Sequence, residues 1–256
     1  MKRVFPILSI LTALLLAYAF YEAMWVAPME RTMGDVQRIF YYHVPSAWTA
    51  FLLFFVNLIA SVTYLIRRNA KADAIAVVSA EVGVVFCTVV LVTGPIWARP
   101  VWGIWWTWDI RLTTTLVLWL IYVSYLVLRR FSDSSQTPKL AAVLAIFGAL
   151  DVPLVYFSIW FFRTQHPQPV IGGGGSIDPR MLHVLLLNWL AFSCFALLVC
   201  WARYRLELLQ REVEEAESLE SLVGDNRLGV KRTGEHSLPL ATKLPLDKNP
   251  SRTGTQ

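Results

Sequence analysis

Six blocks of apolar residues, at 4–21, 47–66, 74–92, 112–128, 140–160 and 182–201, leave this chain little freedom in what it can fold into. Crossing a bilayer as a helix takes about 20 predominantly apolar residues, and each block meets or approaches that length. Inside hydrocarbon every backbone amide must be satisfied within its own segment, which a helix does and an isolated strand does not. The expected fold class is therefore all-α: a polytopic integral membrane protein of six transmembrane helices. At 56% hydrophobic and 16% charged residues, the composition is that of a membrane protein, with the lipid bilayer as the expected solvent for the six blocks.

The first block has features of a secretory signal, with Lys2 and Arg3 ahead of it and "AYA" at 17–19. Its apolar run is long for a signal core and five further blocks follow, so it reads as a retained helix. Basic residues set the orientation. Lys2 and Arg3, then Arg67, Arg68 and Lys71, then Arg129, Arg130 and Lys139, then Arg203, Arg205 and Arg211 mark one set of connections as cytoplasmic. Both termini are then inside. The opposite connections carry Arg31, Arg38, Arg99, Arg111, Arg163 and Arg180 and no lysine; arginine is the forked, planar partner for carboxylates, although any one of these could be an ordinary surface residue. The net charge of +5 comes from loop residues and calls for no nucleic acid.

Residues 1–205 read as one six-helix domain with outer loops 22–46, 93–111 and 161–181. Residues 206–223 are a charged, helix-prone cytoplasmic extension, and 224–256, rich in Gly, Pro, Lys and Thr without periodicity, reads as a disordered cytoplasmic tail. Cys87, Cys194 and Cys200 all fall in the spans and form no C-x-x-C pair, so neither thiol redox chemistry nor covalent haem attachment is signalled. Glu81 and Asp151 fall inside spans, where ionisable groups face the bundle interior; packing near Pro153 accounts for Asp151.

The outer loops hold the chemistry. "WGIWWTWDIR", 102–111, puts four tryptophans in seven positions. Trp25, Trp48, Trp160 and Trp201 fit the aromatic belt of a membrane interface, but Trp97, Trp102, Trp105, Trp106 and Trp108 are too dense for one. Such a cluster offers wide, rigid apolar faces suited to a flat aromatic ligand, and Arg99 and Arg111 beside it suit carboxylate tails. Asp109 precedes the fourth block and reads as a helix cap that orients the loop. Of four histidines, His43, His166 and His183 fall on the outer side and His236 in the tail. Taken singly, an interfacial histidine is more often a hydrogen-bonding bystander than a ligand. Taken together, two imidazoles from different loops can fill both axial positions of an iron porphyrin.

The segment "VTGPIWARPVWGIWWTWDIRLTTTLVLWLIYVSY" resembles the WWD signature of the proteins that handle haem in cytochrome c maturation. With "RIFYYHVPSAW" before it and "DVPLVYFSIWFFRTQHPQP" and "SIDPRM" after it, the chain resembles the short, six-helix haem exporter protein C branch over 38–201. The resemblance implies a bacterial cytoplasmic (inner) membrane protein, not an enzyme, that binds haem b on the periplasmic side. It implies His43 and His166 as the axial ligands of the haem iron. It also implies delivery of the haem to the membrane-anchored haem chaperone cytochrome c maturation protein E, beside a small membrane subunit and an ABC-type ATPase. Release energy has to come from such partners, because the chain has no G-x-x-x-x-G-K-[ST] loop. Pro169 and the four glycines at 172–175 depart from the family pattern in the third outer loop, and His183 matches no family ligand.

Three other readings stay in view. A membrane b-type electron-transfer cytochrome would carry its histidines deep in the spans, where this chain has none. A haem lyase-type relative would need more helices. A structural assembly subunit with an aromatic docking loop would bind no haem.

Overall fold

The computed structural model describes residues 4–132, 134–162, 164–167 and 177–235, with side chains as far as 221. Arg163, Pro169, the glycines at 172–175 and His236 lie outside the described residues. The fold is all-α: α1 (Val4–Tyr21), α2 (Phe40–Arg67), α3 (Ala70–Trp102), α4 (Ile110–Phe131), α5 (Thr137–Ala149), α6 (Asp151–Phe161) and α7 (Pro179–Glu235), with a π turn at Glu22–Val26 and a 3-10 turn at Asp35–Ile39. Among the described residues six segments are long and apolar enough to cross a membrane, α5 and α6 together forming one of them. The chain divides after Leu208 into two units, the helical bundle and the remainder.

α1 is apolar on every side and buries only Thr12 and Ala19, as expected of a helix whose solvent is lipid. It is held to α7 by the Asn188 side chain, whose Nδ2 donates to the Ala19 carbonyl at 3.3 Å and to Val184 at 2.9 Å, and by an edge-on contact of Phe5 with Trp201. α2 and α3 form a closely packed hairpin. Arg68 closes α2 in the left-handed conformation, and Asn69 caps α3 by accepting from the Lys71 N–H at 2.9 Å. The core is built around Phe54 of α2, stacked on Tyr122 of α4 with ring centroids 3.9 Å apart. Gly83 makes that possible, since a Cβ there would lie 2.7 Å from the Phe54 ring.

Two ion pairs tie helices together inside the bundle. Arg129 of α4 grips Asp73 of α3 with two hydrogen bonds of 2.7 Å. Arg203 of α7 bonds Glu81 of α3 at 2.7 Å and Glu207 at 3.0 Å, which gives Glu81 a role as an inter-helix tie.

Three expectations change. The fifth span is not one helix: it breaks at Leu150, because Pro153 has no N–H to offer the Ala149 carbonyl, and the Leu150 N–H bonds the Phe147 carbonyl in a tighter turn. Asp151 begins α6 at this break, buried, with Oδ2 unpartnered among the described residues. The outer connections are shorter than 22–46 and 93–111, since α2 starts at Phe40 and α3 runs to Trp102. Finally, α7 continues to Glu235, so 224–235 is helical where a loose tail was expected; extending an existing helix costs far less than nucleating one.

Candidate functional site

At one end of the bundle the α1–α2 and α3–α4 connections and the described residues between α6 and α7 border a cavity of about 1090 Å³, slightly above the roughly 300–1,000 Å³ usual for small-molecule sites. His43, His166, Trp97, Trp102, Trp106 and Arg111 all line it, and it reaches inward to Ala50, Cys87 and Val155.

His43 projects from the first turn of α2, not from the loop before it. The 3-10 turn Asp35–Ile39 leads straight into that helix, and Pro45 sits within it. Its Nδ1 lies 2.8 Å from the Thr93 hydroxyl on α3. Thr93 Oγ1 in turn donates its only hydrogen to the Val89 carbonyl, at 2.6 Å. With the hydroxyl hydrogen on Val89, Thr93 Oγ1 is an acceptor towards the imidazole, an arrangement in which Nδ1 carries the ring proton and Nε2 the lone pair.

His166 reaches the same tautomer by another route: its Nδ1 donates to the Pro167 carbonyl at 2.9 Å, an atom that can only accept. In both rings Nε2 has no hydrogen-bond partner among the described residues. Burial, reinforced by the nearby Arg111 charge, pushes His166 down to about 4, so at neutral pH it is an uncharged ligand.

The tryptophan loop is bounded by two local devices. α3 ends at Gly103, whose φ of 79° is the left-handed C-cap that glycine allows. α4 begins at Asp109, whose carboxylate accepts the Leu112 N–H at 3.1 Å. The other carboxylate oxygen accepts from the Thr164 hydroxyl and from the Gln165 N–H at 3.0 Å, while the His166 N–H donates to Thr164 Oγ1 at 3.1 Å. Asp109 thus ties the tryptophan loop to the backbone beside His166. Burial alone would raise its carboxyl, but the Thr164, Leu112 and Gln165 bonds outweigh this and hold it below the usual carboxylate range.

The five loop tryptophans divide. Trp97 and Trp102, both on α3, meet edge to face at 5.1 Å and line the cavity with Trp106. Trp105 and Trp108 do not line it and are 59% and 77% exposed. Arg99 is also outside the cavity: it is exposed and donates back to the Gly103 carbonyl, which makes it a helix-end residue rather than a neighbour of a ligand. His183 is exposed on α7 and is absent from the lining. Arg111 faces in, and its Nη1 and the Nε1 of Trp106 are buried donors without a partner among the described residues.

Sequence reasoning missed three contributors. Trp48, assigned to an interface belt, lines the cavity beside Trp189 of α7, ring centroids 5.4 Å apart. Thr93 carried only a weak signal, its place next to Gly94 and Pro95. The stacking of α2 against α3 is what sets it opposite His43.

Fold and site together define a six-span helical membrane protein with a two-histidine, indole-lined cavity at one end. The family described as Heme exporter protein C matches residues 1–219. The chain is 36% identical to Heme exporter protein C of Bradyrhizobium diazoefficiens over 222 residues, 86% of this chain and 84% of that one. It is 32% identical to the Escherichia coli K12 protein of the same name, over 73% of this chain and 76% of that one. A putative mitochondrial cytochrome c biosynthesis ccmC-like protein of Marchantia polymorpha is 34% identical over 70% and 76%. The chain belongs to the Heme exporter protein C family.

Proposed function

We propose that this protein binds haem b as cargo at the outer face of the bacterial cytoplasmic membrane, both termini inside, and delivers it to a membrane-anchored haem chaperone for c-type cytochrome maturation. The observation that carries the reading is the pair of imidazoles in one cavity, each with Nδ1 engaged and Nε2 left for iron. Bis-imidazole ligation is one of the ways a protein holds haem. The walls fit the rest of the molecule: Trp97, Trp102 and Trp106 offer apolar faces for the ring, and the unpartnered Arg111 Nη1 and Trp106 Nε1 offer donors for propionates. Exposed Trp105 and Trp108 are then free to meet the receiving chaperone. A small membrane subunit and an ABC-type ATPase, suggested by the family, would drive release.

The chain's own work is positional. It presents two neutral ligands and a pre-shaped slot, and it makes no bond in the cargo. The absorption spectrum of the detergent-purified chain, with and without a soluble chaperone domain, tests this. A low-spin, six-coordinate haem signal is expected, altered or lost in His43→Ala and in His166→Ala. An identical spectrum in both variants overturns the ligand assignment.

A further inference from the structure

The geometry points to Thr93 as the residue that positions His43 for iron, by holding its imidazole in the tautomer that leaves Nε2 bare. The inference rests on the haem reading above and gives a role to Thr93, which lies at the start of the tryptophan segment but is neither one of its tryptophans nor one of the two histidines.

Three observations converge on it. Nδ1 of His43 and Oγ1 of Thr93 are 2.8 Å apart, across the α2–α3 interface. The Thr93 hydroxyl is already a donor, to the Val89 carbonyl at 2.6 Å, with Val90 a longer second acceptor at 3.4 Å. With that hydrogen committed to the helix carbonyls, the hydroxyl is left as an acceptor for an N–H on Nδ1. The next residue is Gly94, where a Cβ would stand 3.5 Å from His43 Cε1, the ring carbon next to Nε2. Thr93 therefore grips the far nitrogen of the ring, while Gly94 packs beside its Cε1 edge, where even a Cβ would make only an ordinary contact.

A side chain in this place does more than orient. The chain from imidazole N–H to hydroxyl to backbone carbonyl is polarised along its length, and an acceptor on the far nitrogen makes a ligating imidazole more basic. A more basic ligand favours the ferric form of bound haem. His166 has a peptide carbonyl in the same role, so the two ligands are matched in tautomer by different means.

The test uses the full chain in detergent, with 15N-labelled histidine and three forms: wild type, Thr93→Val, which keeps the shape and removes the hydroxyl, and Thr93→Ser, which restores it. In haem-free protein, the His43 resonances, identified by their loss in His43→Ala, should report Nδ1 protonated in wild type and Thr93→Ser. In Thr93→Val they should shift to the other tautomer or to a mixture. On titration with haem, Thr93→Val should bind about 10–100-fold more weakly, with the reduction potential moved positive, and Thr93→Ser should recover both. A Thr93→Val protein indistinguishable from wild type in tautomer, affinity and potential overturns this inference alone. A wild-type chain that binds no haem overturns the function proposed above, and the haem-free tautomer measurement still decides whether Thr93 sets the His43 proton.

Discussion

The backbone N–H of Gln165 donates to the carboxylate of Asp109 at 3.0 Å, linking the residue before one candidate iron ligand to the cap of the helix that follows the tryptophan loop. One side chain therefore controls two elements of the site, the entry to α4 and the approach to His166. Asp109→Ala should remove both. The lost cap costs about 1 kcal/mol, seen as a lower unfolding temperature in detergent. Haem retained per chain should fall further than that loss explains, because His166 is no longer held. Thr164→Val leaves the cap intact and should lower retention with little change in unfolding temperature.

The division of the tryptophans gives opposite expectations for neighbouring residues. Trp106→Phe keeps an aromatic face in the cavity but removes the buried Nε1 donor, so haem binding should weaken about 10- to 100-fold, in line with a lost hydrogen bond to a charged group. Trp108→Ala, at a position 77% exposed, should leave haem occupancy unchanged and reduce capture of the soluble chaperone domain. Equal loss of haem in both variants would return Trp108 to the ligand site.

Far from the cavity, the doubly bonded Asp73–Arg129 pair is almost withdrawn from solvent, at 5% and 15% side-chain exposure. Removing one partner leaves a buried charge behind. Arg129→Met should destabilise the bundle by about 3–5 kcal/mol, whereas the double variant Asp73→Leu with Arg129→Met should recover much of the loss. Unfolding in mixed detergent micelles measures both.

The pH response of haem-free protein follows from His166. Its proton affinity is pushed down to about 4, against about 6.5 for an exposed histidine. Between these values the unfolded chain binds a proton that the folded site refuses, so the fold loses stability as pH falls from 6.5 towards 4 and His166 makes it insensitive to pH above 6.5. Histidine NMR should give a His166 midpoint near 4. A midpoint near 6.5 would mean that the ring faces solvent.

Much of this protein is legible one residue at a time. Apolar block length alone requires six membrane-spanning segments, because hydrocarbon leaves the backbone no alternative. α1 matches its block at Val4–Tyr21; the others extend beyond theirs, because polar and aromatic residues such as Tyr41 and Trp102 continue a helix once protein rather than lipid surrounds it. The density of indoles at 97–108 and the placement of His43 and His166 are also visible without coordinates, since each depends on residue type and local order.

What the linear order could not convey is which side of each residue faces the cavity. Trp105 and Trp106 are adjacent, yet one is exposed and the other lines the site. Trp48 is indistinguishable from a belt residue until α7 brings Trp189 against it. The Thr93–His43 bond spans 50 positions and exists only because α2 and α3 pack in one register. Helix formation is a local matter of backbone hydrogen bonds and solvent, whereas a side chain's neighbours are set by the rotation and register of packed helices, which depend on contacts between segments distant in the chain.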